Sequence, residues 1–351
     1  MKRRAFISAS SLATTVAVLG KPDATKAVRR MGLTIWSYNI RWRKRGPQVP
    51  KPGWRNALDV LNHCKDLGAG CLQIGVGGWQ KDFIKQVRDK RENLGIALEG
   101  QIGLPRKKEE LGRFETELVG AREAGASILR TVCLNGRRYE TFGDKDAWDD
   151  FRKESLAALQ RAEPIAAKRK VKLAVENHKD WRADEQIAIL KRLDSEWIGV
   201  NLDFGNNFAL LEHAHAVAEV FAPYLMTTHV KDMAMAEHMD GFLLSEVPLG
   251  KGVLDLPHMM KVCQKTNPEV WFNLEMITRD PLRVPVFKDR YWATMGELPA
   301  ADLAGTLKLA KDGDPDALPK TRGRTDAGKL KFEDDNVRQS FGYARKELGF
   351  S

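Results

Sequence analysis

Val171-Lys172-Leu173-Ala174-Val175-Glu176-Asn177-His178 is a short apolar, partly β-branched run that ends abruptly in an acid, an amide and an imidazole. Three later stretches repeat the design. Residues 198–203 lead into Leu202-Asp203-Phe204-Gly205-Asn206, residues 226–230 into Thr228-His229-Val230-Lys231-Asp232, and residues 270–277 contain Asn273-Leu274-Glu275-Met276. In each, a charged or imidazole side chain interrupts a strand-like run just before a loop.

Working outward, the same alternation of short apolar runs and longer amphipathic segments fills the chain beyond residue 31. Further strands are predicted at 33–40, 71–76, 96–102 and 128–134, with helices at 56–67, 107–124, 148–168, 184–193 and 256–265. Gly68, Gly95 and Gly125 stand where helices should stop before the next strand. Eight strands separated by helices predict an α/β fold with a parallel sheet, and eight is the number that closes a (β/α)8 TIM barrel. An open doubly wound sheet is the competitor. It would carry a Gly-rich phosphate loop after its first strand, and Thr34-Ile35-Trp36-Ser37-Tyr38-Asn39-Ile40-Arg41-Trp42 has no glycine. The barrel is expected over residues 31–312. The segment 313–351, rich in charge, Gly and Pro with a short helical pattern at 336–348, is expected to be a polar C-terminal extension.

With 351 residues, 43% hydrophobic and 30% charged, the chain is globular, which excludes collagen, a wholly disordered chain and a polytopic membrane protein. The net charge of +10 is unevenly placed. Residues 1–55 hold 13 Lys/Arg and one acid (Asp23), so the remainder is close to neutral at −2. Seven of those basic residues lie in 1–30. There Lys2-Arg3-Arg4 precedes 16 uncharged residues, too short and too weakly apolar to span a bilayer. The paired arginine resembles a twin-arginine export leader. The mature protein is then expected to be periplasmic or secreted, and cytoplasmic if the leader is no signal. Cys64, Cys71, Cys133 and Cys263 are scattered and form no metal or disulfide pattern; buried free thiols are expected.

In a closed barrel the four interrupted strand ends converge on one face, where barrel enzymes carry their sites. Glu176, Asp203, His229 and Glu275 then offer three carboxylates and one imidazole. That mixture suits a hard to intermediate divalent cation, Mn²⁺ first, with Mg²⁺ or Co²⁺ as alternatives and Zn²⁺ less well matched.

The order Val175-Glu176-Asn177-His178, Asn201-Leu202-Asp203-Phe204-Gly205-Asn206, Thr228-His229-Val230-Lys231-Asp232 and Asn273-Leu274-Glu275-Met276 resembles the xylose isomerase-like TIM-barrel superfamily over about residues 32–310. Pro248-Leu249-Gly250-Lys251-Gly252 is similar to its P-x-G-x-G loop. That superfamily includes sugar isomerases, ketose 3-epimerases, a dehydratase and keto-glycoside eliminases. The resemblance implies a metal-dependent sugar isomerase or epimerase working through an enediolate, with Glu176 and Glu275 as general base and acid. A lyase or dehydratase on a keto-sugar or keto-glycoside is the alternative, and a non-catalytic carbohydrate-binding barrel a third. Two opposed carboxylates argue against the last. Strand alternation turns His178 and Lys231 to the same side as Glu176 and His229, as substrate contacts. Asn206 stands where several of these epimerases and isomerases have histidine; it can bind a hydroxyl but cannot exchange a proton, which weighs against a simple ketose epimerase and toward the lyase or keto-sugar alternatives.

The stretch Arg41-Trp42-Arg43-Lys44-Arg45-Gly46-Pro47, continuing to Lys51, Trp54 and Arg55, is expected on the active-site face, for sugar stacking or as a solvated rim. Nucleic acid is disfavoured, because the superfamily's three-zinc nucleases need more ligands than seven histidines and four strand ends supply. Trp36, Tyr38, Gln73, Glu99 and Arg130 are candidate pocket residues. Residues 233–254 form an expected lid, with Met233, Met235 and Met239 as packing residues. The partner is a small carbohydrate; a homo-oligomer stays open.

Overall fold

The computed structural model describes residues 29–44 and 53–351. Residues 1–28, which make up most of the export leader expected at 1–30, and residues 45–52 of the expected basic rim lie outside the described residues.

Eight parallel strands close into a barrel: β1 (Gly32–Thr34), β2 (Cys71–Gly75), β3 (Ala97–Gln101), β4 (Ile128–Thr131), β5 (Lys172–Glu176), β6 (Ile198–Asp203), β7 (Leu225–Val230) and, after two intervening strands, β10 (Phe272–Leu274). Helices cover the outer face of the barrel, so the outward side chains are apolar and shielded, while the inner face carries polar side chains such as Gln73, Glu99, Gln101 and Asn273. Local signals agree with the topology. Asn56 and Asp144 cap the helices Ala57–Leu67 and Lys145–Arg169 by accepting from Leu58 and Ala147 N–H. Gly68 (φ 81°) and Gly95 (φ 61°) take the left-handed C-cap conformation that glycine tolerates. The four cysteines are buried and free.

The register brings the strand ends level. Asp203 on β6 lies opposite His229 on β7, which in turn lies opposite Asn273 on β10, one residue short of the Leu274 that leads to Glu275. Glu275 N–H donates to the Val230 carbonyl at 2.8 Å, which carries the ladder past the end of β10.

Three expectations are corrected. The first strand is not 33–40. It ends at Thr34, and Ile35–Tyr38 and Asn39–Arg43 are helical turns. The Glu333 carboxylate accepts from the N–H groups of Ile40 and Arg41 at 2.6 and 3.0 Å, and Ser37 Oγ donates to the Leu274 carbonyl at 2.7 Å. Tertiary partners thus override the β propensity of the run. Tyr38 consequently leaves the barrel: its hydroxyl donates to Asp334 and accepts from His63, beside a buried Trp54.

The expected lid is a hairpin, β8 (Asp232–His238) and β9 (Gly241–Val247), joined by β11 (Leu282–Val284) into an antiparallel sheet. Met233 and Met235 pack in the core, whereas Met239 at the turn is 88% exposed. Asp232 fixes the following loop by accepting from the N–H groups of Gly250, Gly252 and Leu254.

The C-terminal segment is not an appendage. The helix Asp326–Glu347 buries Glu333, Asn336, Val337, Ser340, Phe341 and Ala344 at helical spacing, and Val337, Phe341 and Ala344 belong to the main core. It packs against the helical turns that follow β1, and Phe350 beyond it meets Phe272 of β10. Phe341→Ala is therefore expected to cost about 3–5 kcal/mol of stability, read as a lower urea midpoint with an unchanged slope.

Candidate active site

Glu176, Asp203, His229 and Glu275 meet at the carboxyl end of the barrel, each offering a ligand atom within 4.8 Å of the others. All four are buried, at 0–3% exposure. The imidazole shows how the group is arranged. Gln73 donates its amide N–H to Glu99 at 3.1 Å, so its carbonyl oxygen faces His229 Nε2 at 2.7 Å and that nitrogen must donate. Nδ1 is left without a hydrogen bond, facing Glu275 at 3.3 Å, Glu176 at 3.4 Å and Asp203 at 4.0 Å. A bare ring nitrogen turned toward three carboxylates calls for a cation between them, a proton or a metal ion. Three carboxylates and one nitrogen with a fixed tautomer fit a divalent ion, and Gln73 is the outer partner that metal-bound histidines ordinarily have.

Two buried cations balance the cluster meanwhile. The Arg130 guanidinium grips Glu176 Oε2 with two of its nitrogens, and Lys231 Nζ reaches Glu275 at 2.6 Å and Asp203 at 2.7 Å. Burial pushes every carboxyl here upward, and the local charges decide the outcome. Arg130 and His229 hold Glu176 far below the usual range, and His229 and Lys231 do the same for Glu275. Burial lifts Asp203 to about 6 against the pull of Lys231. His229 resists its own burial and rises to about 9, because Glu275 and Glu176 favour the imidazolium.

Around this centre, Asn206 donates to Glu176 at 3.2 Å and accepts from Lys179, so both ends of its amide are engaged. His178 gives Nδ1–H to the Leu134 carbonyl at 2.9 Å; burial lowers its pKa to about 4, so it stays neutral with Nε2 as the acceptor. Gln73, Glu99 and Arg130, named from the sequence as candidate pocket residues, are buried among the barrel strands. Glu99 accepts from Gln73, Thr227 and Asn273 in a polar layer beneath the centre. Trp36 lines a cleft of about 520 Å³ with Trp42, Trp79 and Gln101, and Gln101 donates to the Gln73 that orients His229.

Sequence reading missed Lys179, Glu246 and Arg279. Lys179 follows His178, outside the strand alternation that selected its neighbours. Glu246 lies on β9, paired with Met233 of β8, 3.9 Å from Lys231 and held by Arg279. The signal was available: alternating residues on both sides of Asp240-Gly241 mark a hairpin that returns to the site.

A closed (β/α)8 barrel with buried carboxylates and a histidine at the strand ends is the plan of a TIM-barrel enzyme. Residues 61–294 match the model of the xylose isomerase-like TIM barrel family, and the chain belongs to that family. It is 30% identical over 232 residues to the 3-oxo-isoapionate decarboxylase of Pectobacterium atrosepticum, covering 64% of this chain and 78% of that protein. Among solved structures it resembles D-psicose 3-epimerase in the presence of D-fructose (TM-score 0.59, 15% identity, 91% of this chain and 99% of that one). It also resembles a xylose isomerase-like TIM barrel protein of Mycobacterium smegmatis in complex with magnesium (TM-score 0.57, 17% identity, 80% and 98%).

Two outcomes follow. An ion needs the unprotonated Nδ1, which at pH 7 carries a proton in the ion-free site. Metal uptake at pH 7 should release about one proton, and affinity should fall about tenfold per unit as pH drops below 9. Titration calorimetry in buffers of different ionisation enthalpy measures this. Gln73→Leu, which frees the imidazole to turn, should weaken the ion about 10–100-fold, read as metal retained after dialysis.

Proposed function

We propose that the protein is a divalent-metal-dependent lyase that breaks a bond beside the carbonyl of a small keto-sugar and leaves the electron pair on that carbonyl oxygen. The observation that carries this reading is that both candidate bases are tied to buried cations, Glu176 to Arg130 and Glu275 to Lys231. A carboxylate held far below its usual pKa is a weak general base. Epimerisation, isomerisation and β-elimination need a proton taken beside the carbonyl, whereas a lyase that breaks a carbon–carbon bond, as in loss of carbon dioxide from a 3-oxo acid, chiefly needs an electron sink, and the enolate left behind takes its proton from solvent.

Glu176, Asp203, His229 and Glu275 would hold the ion, with Mn²⁺ the best match to the donor set, and it would supply Lewis acidity at the carbonyl oxygen. Lys231 is held charged, above its usual range, by Asp203, Glu275 and Glu246 despite its burial. It is placed to donate a hydrogen bond to the oxygen on which charge develops. His178, neutral and fixed in one tautomer, orients a substrate hydroxyl through Nε2. Arg130 keeps Glu176 ionised and aimed at the centre. Buried surroundings strengthen each of these contacts by excluding water. The decarboxylase relative supports a lyase outcome.

A specific feature favours a second reading, the isomerase or epimerase: Glu176 and Glu275 flank His229 Nδ1 at nearly equal distances, as a two-base exchange would require. Mass spectrometry after incubation in D₂O with Mn²⁺ separates the two. Among keto-sugars and 3-oxo sugar acids, the substrate whose carbon–carbon bond is broken should give a product lighter than itself. A product of unchanged composition carrying deuterium beside the carbonyl would establish the second reading, and neither change in any substrate would remove both. Lys231→Met should lower turnover about 10²–10³-fold while the protein keeps its ion, because two ligand carboxylates lose a competing cation.

A further inference from the structure

Lys179 is 4% exposed, yet no carboxylate lies within 4.0 Å of its ammonium among the described residues. Its one hydrogen-bond partner is the neutral amide oxygen of Asn206, the same side chain that donates to Glu176. The other cations of the centre, the buried Arg130 and Lys231 and the half-buried Arg279, are each paired with a carboxylate. Buried charges are ordinarily paired, so an ammonium left over in the interior marks the place of an anion from outside.

The backbone carries an independent sign. Four non-glycine residues among those described have φ in the left-handed region: Lys170, Lys179, Asp194 and Leu211. Lys170, Asp194 and Leu211 are helix C-caps, where that conformation closes the last turn. Lys179 (φ 65°) caps nothing. It sits in the loop after β5, clamped on both sides: Arg138 N–H donates to its carbonyl at 3.0 Å, and the N–H groups of His178 and Trp181 donate to Asp180 at 3.0 and 2.9 Å. Strain held this firmly turns the side chain toward Asn206 and the centre.

The charge count leads to the same place. Glu176, Asp203, Glu246 and Glu275 are met by Arg130, Lys179, Lys231, Arg279 and the His229 imidazolium, so the centre already has positive charge to spare before a divalent ion displaces that proton. Its burial and the nearby Lys231 and Arg279 lower Lys179 to about 8, a value still charged at neutral pH.

We infer that Lys179 is the seat of a substrate carboxylate, so that the enzyme acts on sugar acids rather than neutral sugars. One ammonium suits a singly charged carboxylate better than a phosphate dianion. The inference rests on the reading of this centre as one that takes a small carbohydrate, and it adds the charge that carbohydrate must carry.

D-gluconate and D-glucitol share a carbon chain and differ in one carboxylate, so they serve as probes in titration calorimetry on the full chain, with Mn²⁺ and after metal depletion. Gluconate should bind about 10–100-fold more tightly than glucitol in both states. Lys179→Met should reduce that preference below about threefold, and Lys179→Arg should retain most of it. Equal affinity of wild type for the two probes would overturn the inference, whatever the fate of the variants, as would an undiminished preference in Lys179→Met. Inorganic phosphate displacing gluconate at lower concentration than gluconate itself would overturn the carboxylate in favour of a phosphate. Turnover of neutral keto-sugars without gluconate preference would leave the lyase standing and remove the seat. Gluconate preference without any product would do the reverse.

Discussion

Three carboxylates and a histidine nitrogen cannot share a few ångströms of protein interior without positive charge among them, and much of this structure answers to that constraint. Arg130 comes from β4, Lys231 from the junction between β7 and β8, and Arg279 from beyond β10, so no single element neutralises the centre. The β8–β9 hairpin returns Glu246 to Lys231 and Arg279, and Asp232 at its base fastens the next loop by accepting three N–H groups. Gln73 and Glu99 form a polar layer below, which sets the face of His229 that looks upward. The barrel brings the acids together, and the loops and hairpin make them tolerable.

The four acidic and imidazole residues were legible because each breaks an apolar strand at its end, and because successive strands in a parallel barrel must end side by side. The interior positions of Gln73, Glu99 and Arg130 were legible in kind, since polar side chains on short strands have few places to go. Lys179 was not. Its placement depends on a left-handed backbone and on Arg138, which lies some forty residues earlier in the chain, and neither leaves a local mark. Residues 35–43 misled for a related reason. Their composition suits a strand, and only the distant carboxylate of Glu333 makes a helical turn the better solution. The C-terminal helix hid behind its charge: its buried stripe includes Glu333, Asn336 and Ser340, so a search for apolar periodicity sees only its second half.

Within one family, a shared cluster of ligands can serve different reactions because the proton inventory around it varies. Here that inventory is sparse. His178 is neutral and tethered, Asn206 has no transferable proton and is engaged at both ends, and the two glutamates are held by cations. On the lyase reading proposed above, a centre so arranged stabilises negative charge better than it shuttles protons.

The bonds from Glu333 to Ile40 and Arg41 join residues almost three hundred positions apart. At ribosomal rates of about 5–20 residues per second, roughly 15–60 s separate the emergence of the two partners. For most of that interval β1 has no β10 to pair with and Ser37 no Leu274 to hold, and the turn after β1 gains its Glu333 anchor only at the end of it. Assembly of the centre is therefore a late event, coupled to the arrival of distant sequence rather than to local folding. A nascent chain of this kind is exposed to capture by chaperones for nearly the whole of its synthesis.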